Sequence, residues 1–151
     1  MTTQQLSGFE QELLNSPIPP FHKYVGCVYI IDCGVGLYIG QTNTTLDRRI
    51  RFHVENKSPV YEGFVESGIL RYKPIVTLHT HYSLTKSDEN TRAMIISHLN
   101  YVEAQYIDAL KPLGLLNKIP APAHKIPPEF LFTEVGMYIH KDWRTILRDY
   151  A

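Results

Sequence analysis

No apolar run in this 151-residue chain extends beyond a few residues, so no membrane-spanning helix is predicted. The opening Met1-Thr2-Thr3-Gln4-Gln5 lacks the basic stretch followed by an apolar one that a secretion signal needs, and none is expected. Cysteine is scarce, with only Cys27 and Cys33. They lie on the two arms of a candidate hairpin, where a disulfide is open to them; without a secretion signal, free thiols are expected. That reading places the protein inside the cell, in the cytoplasm or, in a eukaryote, the nucleus. An excess of either charge is also missing, since 15 Lys and Arg balance 15 Asp and Glu. This excludes a protein that grips nucleic acid by bulk charge, and any such site must be a local patch. Internal repeats and low-complexity tracts are absent too. With 44% hydrophobic residues, the chain reads as one domain with a real core.

What is present begins with a hairpin. Cys27-Val28-Tyr29 and Tyr38-Ile39-Gly40 flank the turn Asp32-Cys33-Gly34-Val35-Gly36. Val28 and Ile30, then Leu37 and Ile39, alternate as period-2 strands do, and the two glycines suit a tight connection. Tyr29 and Tyr38 take the opposite parity to these aliphatics, so both phenols are expected on one face. Strand propensity alone would also account for two tyrosines here.

Around the hairpin, Leu6, Phe9 and Leu13 predict a helix over residues 4–14, ended by Pro17, Pro19 and Pro20. Leu46, Ile50, His53 and Val54 predict a helix over 46–56, with Thr44 or Thr45 as N-cap and Asp47 in the first turn. A short helix over 59–68 is closed by a glycine, and 72–82 reads as a third strand. A long helix starts at Ser87 or Asp88 and runs to about Leu110, where Pro112 and Gly114 stop it. Beyond Asn117 the Pro-rich stretch reads as extended, and Trp143, Ile146 and Leu147 predict a last helix. The order gives an α/β (α+β) fold, a small three-stranded and largely antiparallel sheet flanked by helices.

Three polar residues sit awkwardly in this scheme. Glu103 has Ile96, Leu99, Tyr106, Ile107 and Leu110 as helical neighbours, and a carboxylate on an apolar stripe needs an arginine or a metal ion beside it, unless it reaches solvent at the flank. Arg49 and His53 stand one helical turn apart on one face, which a solvated basic face, shared with Arg48 and Arg51, would also explain. His79 and His81 share a strand face, but no Cys, Asp or Glu stands at ligand spacing, so no metal site is expected there.

Taken in order, Cys27-Val28-Tyr29, Tyr38-Ile39-Gly40, the helix bearing Arg49 and His53, the helical Glu103 and finally Asn117 resemble the GIY-YIG nuclease family over about residues 25–118. The chain departs from the family in carrying cysteine where the first motif has its glycine, although Gly26 is adjacent; that position reads as packing rather than chemistry. The polar loop Gln41-Thr42-Asn43-Thr44-Thr45 is one residue longer than the common form, which makes Arg48 an alternative to Arg49. Arg49 is preferred because it stands three after Leu46 and four before His53. The resemblance divides the chain into an N-terminal helix and arm (1–24), the nuclease core (25–118) and a Pro-rich extension with a short helix (119–151).

The resemblance implies a DNA endonuclease dependent on Mg²⁺ or Mn²⁺ that leaves 5′-phosphate and 3′-hydroxyl ends. In it Tyr29 is the general base, His53 accepts the phenol proton, Tyr38 holds the water or phosphate, and Arg49 meets the charge that builds on the phosphate. A free tyrosine is only about 0.1% ionised at neutral pH, so Tyr29 needs that help. Glu103 is the expected single protein ligand of the metal, an arrangement that suits magnesium because it keeps several waters. Gly40 and Asn117 are expected to support the site, and Lys23, Gln41, Thr42, Arg51 and Lys57 to contact DNA. About thirty residues follow Asn117, so a compact stand-alone nuclease of restriction, phage or mobile-element type is expected, with a homodimer or two sequential nicks for double-strand cutting. Two alternatives stand beside it: a catalytically silent nucleic-acid-binding module, which the zero net charge supports and the five filled chemical positions oppose, and a structure-selective repair nuclease.

Overall fold

A computed structural model describes residues 23–80, 89–117 and 135–150. The helix expected over 4–14, His81 and the Pro-rich stretch lie outside the described residues. Strands β1 (Lys23–Asp32) and β2 (Leu37–Thr42) form the hairpin. Helices α1 (Leu46–Glu55) and α2 (Pro59–Ser67) follow, then β3 (Arg71–Thr80), α3 (Glu89–Leu110) with a 3₁₀ turn at Lys111–Leu113, β4 (Val135–Ile139) and α4 (Trp143–Tyr150). The strands pair antiparallel in the order β2-β1-β3-β4. Among the described residues, no helix is long and apolar enough to cross a membrane.

The three predicted strands are present, and β4 adds a fourth. Its five residues run Val-Gly-Met-Tyr-Ile, with Met137 and Ile139 exposed, so no polar residue marks a solvent face and periodicity fails to separate it from the stretch before it. Pairing to β3, with Leu78 opposite Met137, makes it a strand. Elsewhere local signals hold. Thr45 takes the extended N-cap conformation before α1, and Gly68 ends α2 at φ 72, the left-handed conformation that glycine adopts without steric cost.

Each face of the sheet buries its own cluster. Val28, Ile30, Leu37 and Ile39 pack under α3 and α4, against Leu99, Tyr106 and Ile146 among others. Cys27, Tyr29 and Ile31 pack under α1 and α2, against Leu46, Ile50 and Val60. Two irregularities in the β1–β3 ladder adjust this alternation. One falls between Tyr24 and Gly26, and puts Tyr24 on the same face as Cys27. The other falls between Val28 and Tyr29, opposite Pro74, which is where a central strand tolerates proline. Cys27 is fully buried in the α1 and α2 cluster, and both cysteines are free thiols.

Candidate active site

The hairpin register decides where the tyrosines meet. Tyr29 lies opposite Gly40 and Tyr38 opposite Ile31, so both side chains rise from the face that α1 covers. The Tyr29 ring lies across Gly40 so closely that a Cβ there would fall inside the van der Waals shell of its hydroxyl and ring carbons. Glycine at position 40 is therefore what lets the phenol reach beyond the edge strand.

Helix α1 supplies two partners for that phenol. The Tyr29 hydroxyl and His53 Nε2 are 2.8 Å apart, and Arg49 Nε donates to the same oxygen at 3.3 Å. His53 is buried, edge-on to the rings of both Tyr29 and Tyr38, with centroids 6.1 and 5.0 Å away. The Arg49 guanidinium stacks 4.6 Å from the centre of the half-exposed Phe52 ring, which holds its fork in place. Arg48, the alternative, is exposed and lines the neighbouring groove together with Arg49.

From the other side of the sheet, α3 brings Glu103 to the β2 edge. The Gln41 amide binds Asn100 Oδ1 and also donates to the Glu103 carboxylate. Glu103 Oε2 is buried without a hydrogen-bond partner. Burial raises the Glu103 carboxyl to about 7, against the opposing pull of Gln41 and Arg49. The charge of Glu103 is felt at Tyr38, whose phenol is raised chiefly by burial. Burial also drives the Tyr29 phenol far above its ordinary range, with Arg49 opposing, and lowers His53 to about 4, with Arg49 reinforcing. The resting pair is thus neutral phenol against neutral imidazole.

A buried acceptor oxygen with no donor fits a cation. Among the described residues no group of three or more His, Cys, Asp and Glu assembles, so a metal here would take Glu103 as its one protein carboxylate and keep its waters. A model of the GIY-YIG catalytic domain matches residues 25–118. The chain belongs to the GIY-YIG family.

This GIY-YIG protein is therefore an endonuclease, a phosphodiester hydrolase, and nucleases of its family generally depend on a divalent metal. No curated protein and no solved structure matches the chain. Of the residues expected to serve the GIY-YIG site, Tyr29, Tyr38, Arg49, His53 and Glu103 converge as described. Asn117 grips the free edge of β2, donating to Ile39 O at 2.7 Å and accepting from Ile39 N at 3.1 Å, while Leu116 N donates to Leu37 O. Gln41 faces Asn100 and Glu103, and the buried Thr42 hydroxyl accepts from Thr44 N. Tyr24 ties down the same loop through Thr44 O at 3.1 Å. Arg51 is exposed on the other flank of α1, where its charge acts on Tyr72, and Lys57 is exposed just past α1 at φ 49. Lys23 opens β1 opposite Thr80.

Three residues at the GIY-YIG site escape the sequence reading. Phe52 looks like one apolar residue on a basic face. Asn100 stands three before Glu103, a spacing that sets both on one side of α3 and is a usable signal. Ser58 precedes Pro59 and reads as an ordinary helix cap, yet its hydroxyl lies 3.0 Å from His53 Nδ1.

Proposed function

We propose that this GIY-YIG endonuclease hydrolyses DNA with Tyr29 as general base, His53 as the acceptor of its proton, Arg49 as the phosphate clamp and Glu103 as the ligand of Mg²⁺ or Mn²⁺. The observation that carries the reading is one oxygen, the Tyr29 hydroxyl, bonded at once to an imidazole nitrogen and a guanidinium, with the Glu103 carboxylate, one of whose oxygens is buried without a hydrogen-bond partner, acting on the same arginine and Tyr38. A purely structural account has no use for this combination.

The proton moves in a closed sequence. Tyr29 O–H breaks and its proton passes to His53 Nε2, leaving a phenolate beside Arg49. The phenolate takes a proton from the attacking water, whose oxygen bonds to phosphorus as the bond to the 3′ oxygen breaks. That oxygen takes a proton from solvent, and the His53 imidazolium releases its proton to solvent, which restores the neutral pair with the Tyr29 phenol that the water has reprotonated. Arg49 offers two parallel N–H donors to the phosphate oxygens as negative charge builds, a geometry that lysine lacks. Tyr38, half-buried beside His53, holds the water or a phosphate oxygen. When bound at Glu103, the metal supplies Lewis-acid stabilisation of the phosphate and the departing oxygen.

DNA has a route to this centre. An open groove of about 380 Å³ is lined by Thr42, Thr44, Arg48, Arg49 and Phe52, with Glu55 as its one carboxylate. A smaller hollow of about 110 Å³, lined by Asn43, Thr44, Arg92 and Ile95, adjoins it across the same loop. Arg48 and Arg92 thus flank the loop beside the site, whereas Arg51 lies away from it. Phosphate contacts of this kind position a strand without reading its sequence.

Supercoiled plasmid incubated with the protein and Mg²⁺ tests the reading. Wild type is expected to nick or linearise it, and Glu103→Ala to abolish cleavage while binding DNA in EDTA as wild type does. Equal amounts of intact plasmid for wild type, Glu103→Ala and Arg49→Ala, across several divalent metals, would refute it. Sequencing the cut ends addresses the role. A fixed short sequence supports a restriction or mobile-element enzyme, and cutting set by branched structure supports a repair nuclease.

A further inference from the structure

Serine before a proline at a helix start ordinarily turns its hydroxyl to a backbone N–H of the first turn, an interaction whose loss costs about 1 kcal/mol. Ser58 has the N-cap conformation of α2, with φ −65 and ψ 172, but makes no side-chain cap bond. Its Oγ is turned instead to His53 Nδ1 at 3.0 Å, and its backbone N–H donates to His53 O at 3.2 Å. The chain folds Ser58 back against the helix end it has just left, and the cap bond is given up for a bond to the imidazole.

The donors and acceptors along this line leave little freedom. Arg49 can only donate to the Tyr29 oxygen, so the phenol proton is free to point at His53 Nε2, 2.8 Å away. Nε2 must then be bare, and the ring proton sits on Nδ1, where Ser58 Oγ accepts it. In water a neutral imidazole favours the other tautomer. With its proton on Nε2, both His53 and Arg49 would aim donors at the phenol oxygen, and the phenol proton would have nowhere to go.

We propose that Ser58 is a positioning residue that holds His53 as the Nδ1–H tautomer, so that Nε2 faces the Tyr29 phenol as an acceptor and the imidazolium formed on proton transfer keeps a partner at Nδ1. Ser58 acts through His53 and touches neither substrate nor metal. The kinetic half of this inference rests on the hydrolytic mechanism above; the tautomer half stands on its own.

Two readouts test it in the full chain. In protein carrying ¹⁵N-histidine, without metal or DNA, the His53 Nε2 resonance is expected in the unprotonated range for wild type and Ser58→Thr, and in the N–H range for Ser58→Ala. In plasmid cleavage, Ser58→Ala is expected to lose about 10- to 100-fold in kcat with KM held, and Ser58→Thr to restore most of it. Ser58→Gly, a residue tolerated at N-caps, repeats the test should Ser58→Ala fold poorly. The proposal is overturned if both hydroxyl-less variants keep the wild-type nitrogen pattern, or if Ser58→Thr is as impaired as Ser58→Ala. Should wild type cut no DNA, the nuclease mechanism fails while the nitrogen resonances still decide the role of Ser58.

Discussion

Glu103, half-buried, and His53, buried, are ionisable groups that pull stability in opposite directions with pH. The Glu103 carboxyl rises from its ordinary 4.5 to about 7, so the fold holds its proton more tightly than the unfolded chain does. Its contribution is fullest below 4.5 and is lost as pH climbs to about 7. His53 falls from 6.5 to about 4, so its contribution is present above 6.5 and is lost as pH drops towards 4. The groups facing them are Gln41, Arg49 and Tyr38 at Glu103, and Tyr29, Tyr38, Arg49 and the Ser58 hydroxyl at His53. Glu103→Gln removes the first effect alone. In EDTA it is expected to be more stable than wild type by on the order of 1–2 kcal/mol at pH 8, a gap that closes towards pH 4.5 in urea titrations. An equal or lower stability at pH 8 would mean the carboxylate is solvated or paired. The same substitution should abolish metal-dependent cleavage, so one residue trades stability for function.

At the scale of elements, the β1–β2 hairpin sets the site and Gly40 is its narrowest point. Gly40→Ala puts a methyl group into the Tyr29 ring, which must shift or the strands must part. A loss of about 1–3 kcal/mol is expected, with cleavage suppressed beyond it because the bonds to His53 and Arg49 break when the ring moves. Wild-type stability and activity in this variant would show that the ring has another place to lie. The hairpin, α1 and α3 were legible in the sequence because each shows a clear period and ends at a turn or breaker. Asn117 was legible as a supporting residue only through family resemblance; that it pairs with the backbone of β2 depends on a contact across 78 positions that no local pattern encodes. The same limit hid β4, which becomes a strand only by pairing with β3. It also hid Ser58, whose local signal points to a cap it does not make.

For the whole molecule, zero net charge makes placement of charge matter more than its total. Sequence order suggested Arg51 and Lys57 as DNA contacts because they sit close to Arg49 in the chain. A helix turns by about 100° per residue, so neighbours in sequence diverge in space, and Arg51 ends on the flank that faces Tyr72. Arg48 and Arg92 line the hollows on either side of the 42–44 loop instead. In EDTA, Arg48→Ala and Arg92→Ala should each reduce the slope of log Kd against log salt for a DNA duplex by about one, with Arg51→Ala close to wild type. Equal slopes for all three would remove the grooves as the DNA path.

Arg49 and His53 meet on a single phenol oxygen, that of Tyr29. Tyr29→Phe deletes that oxygen and keeps the buried ring, so the fold should hold. Its single-turnover rate of plasmid cleavage in saturating Mg²⁺ is the direct test. The expected result is a fall of about 10²–10⁴-fold, with DNA binding in EDTA unchanged. A Tyr29→Phe protein that cuts at the wild-type rate would contradict the account, since the base would then lie elsewhere.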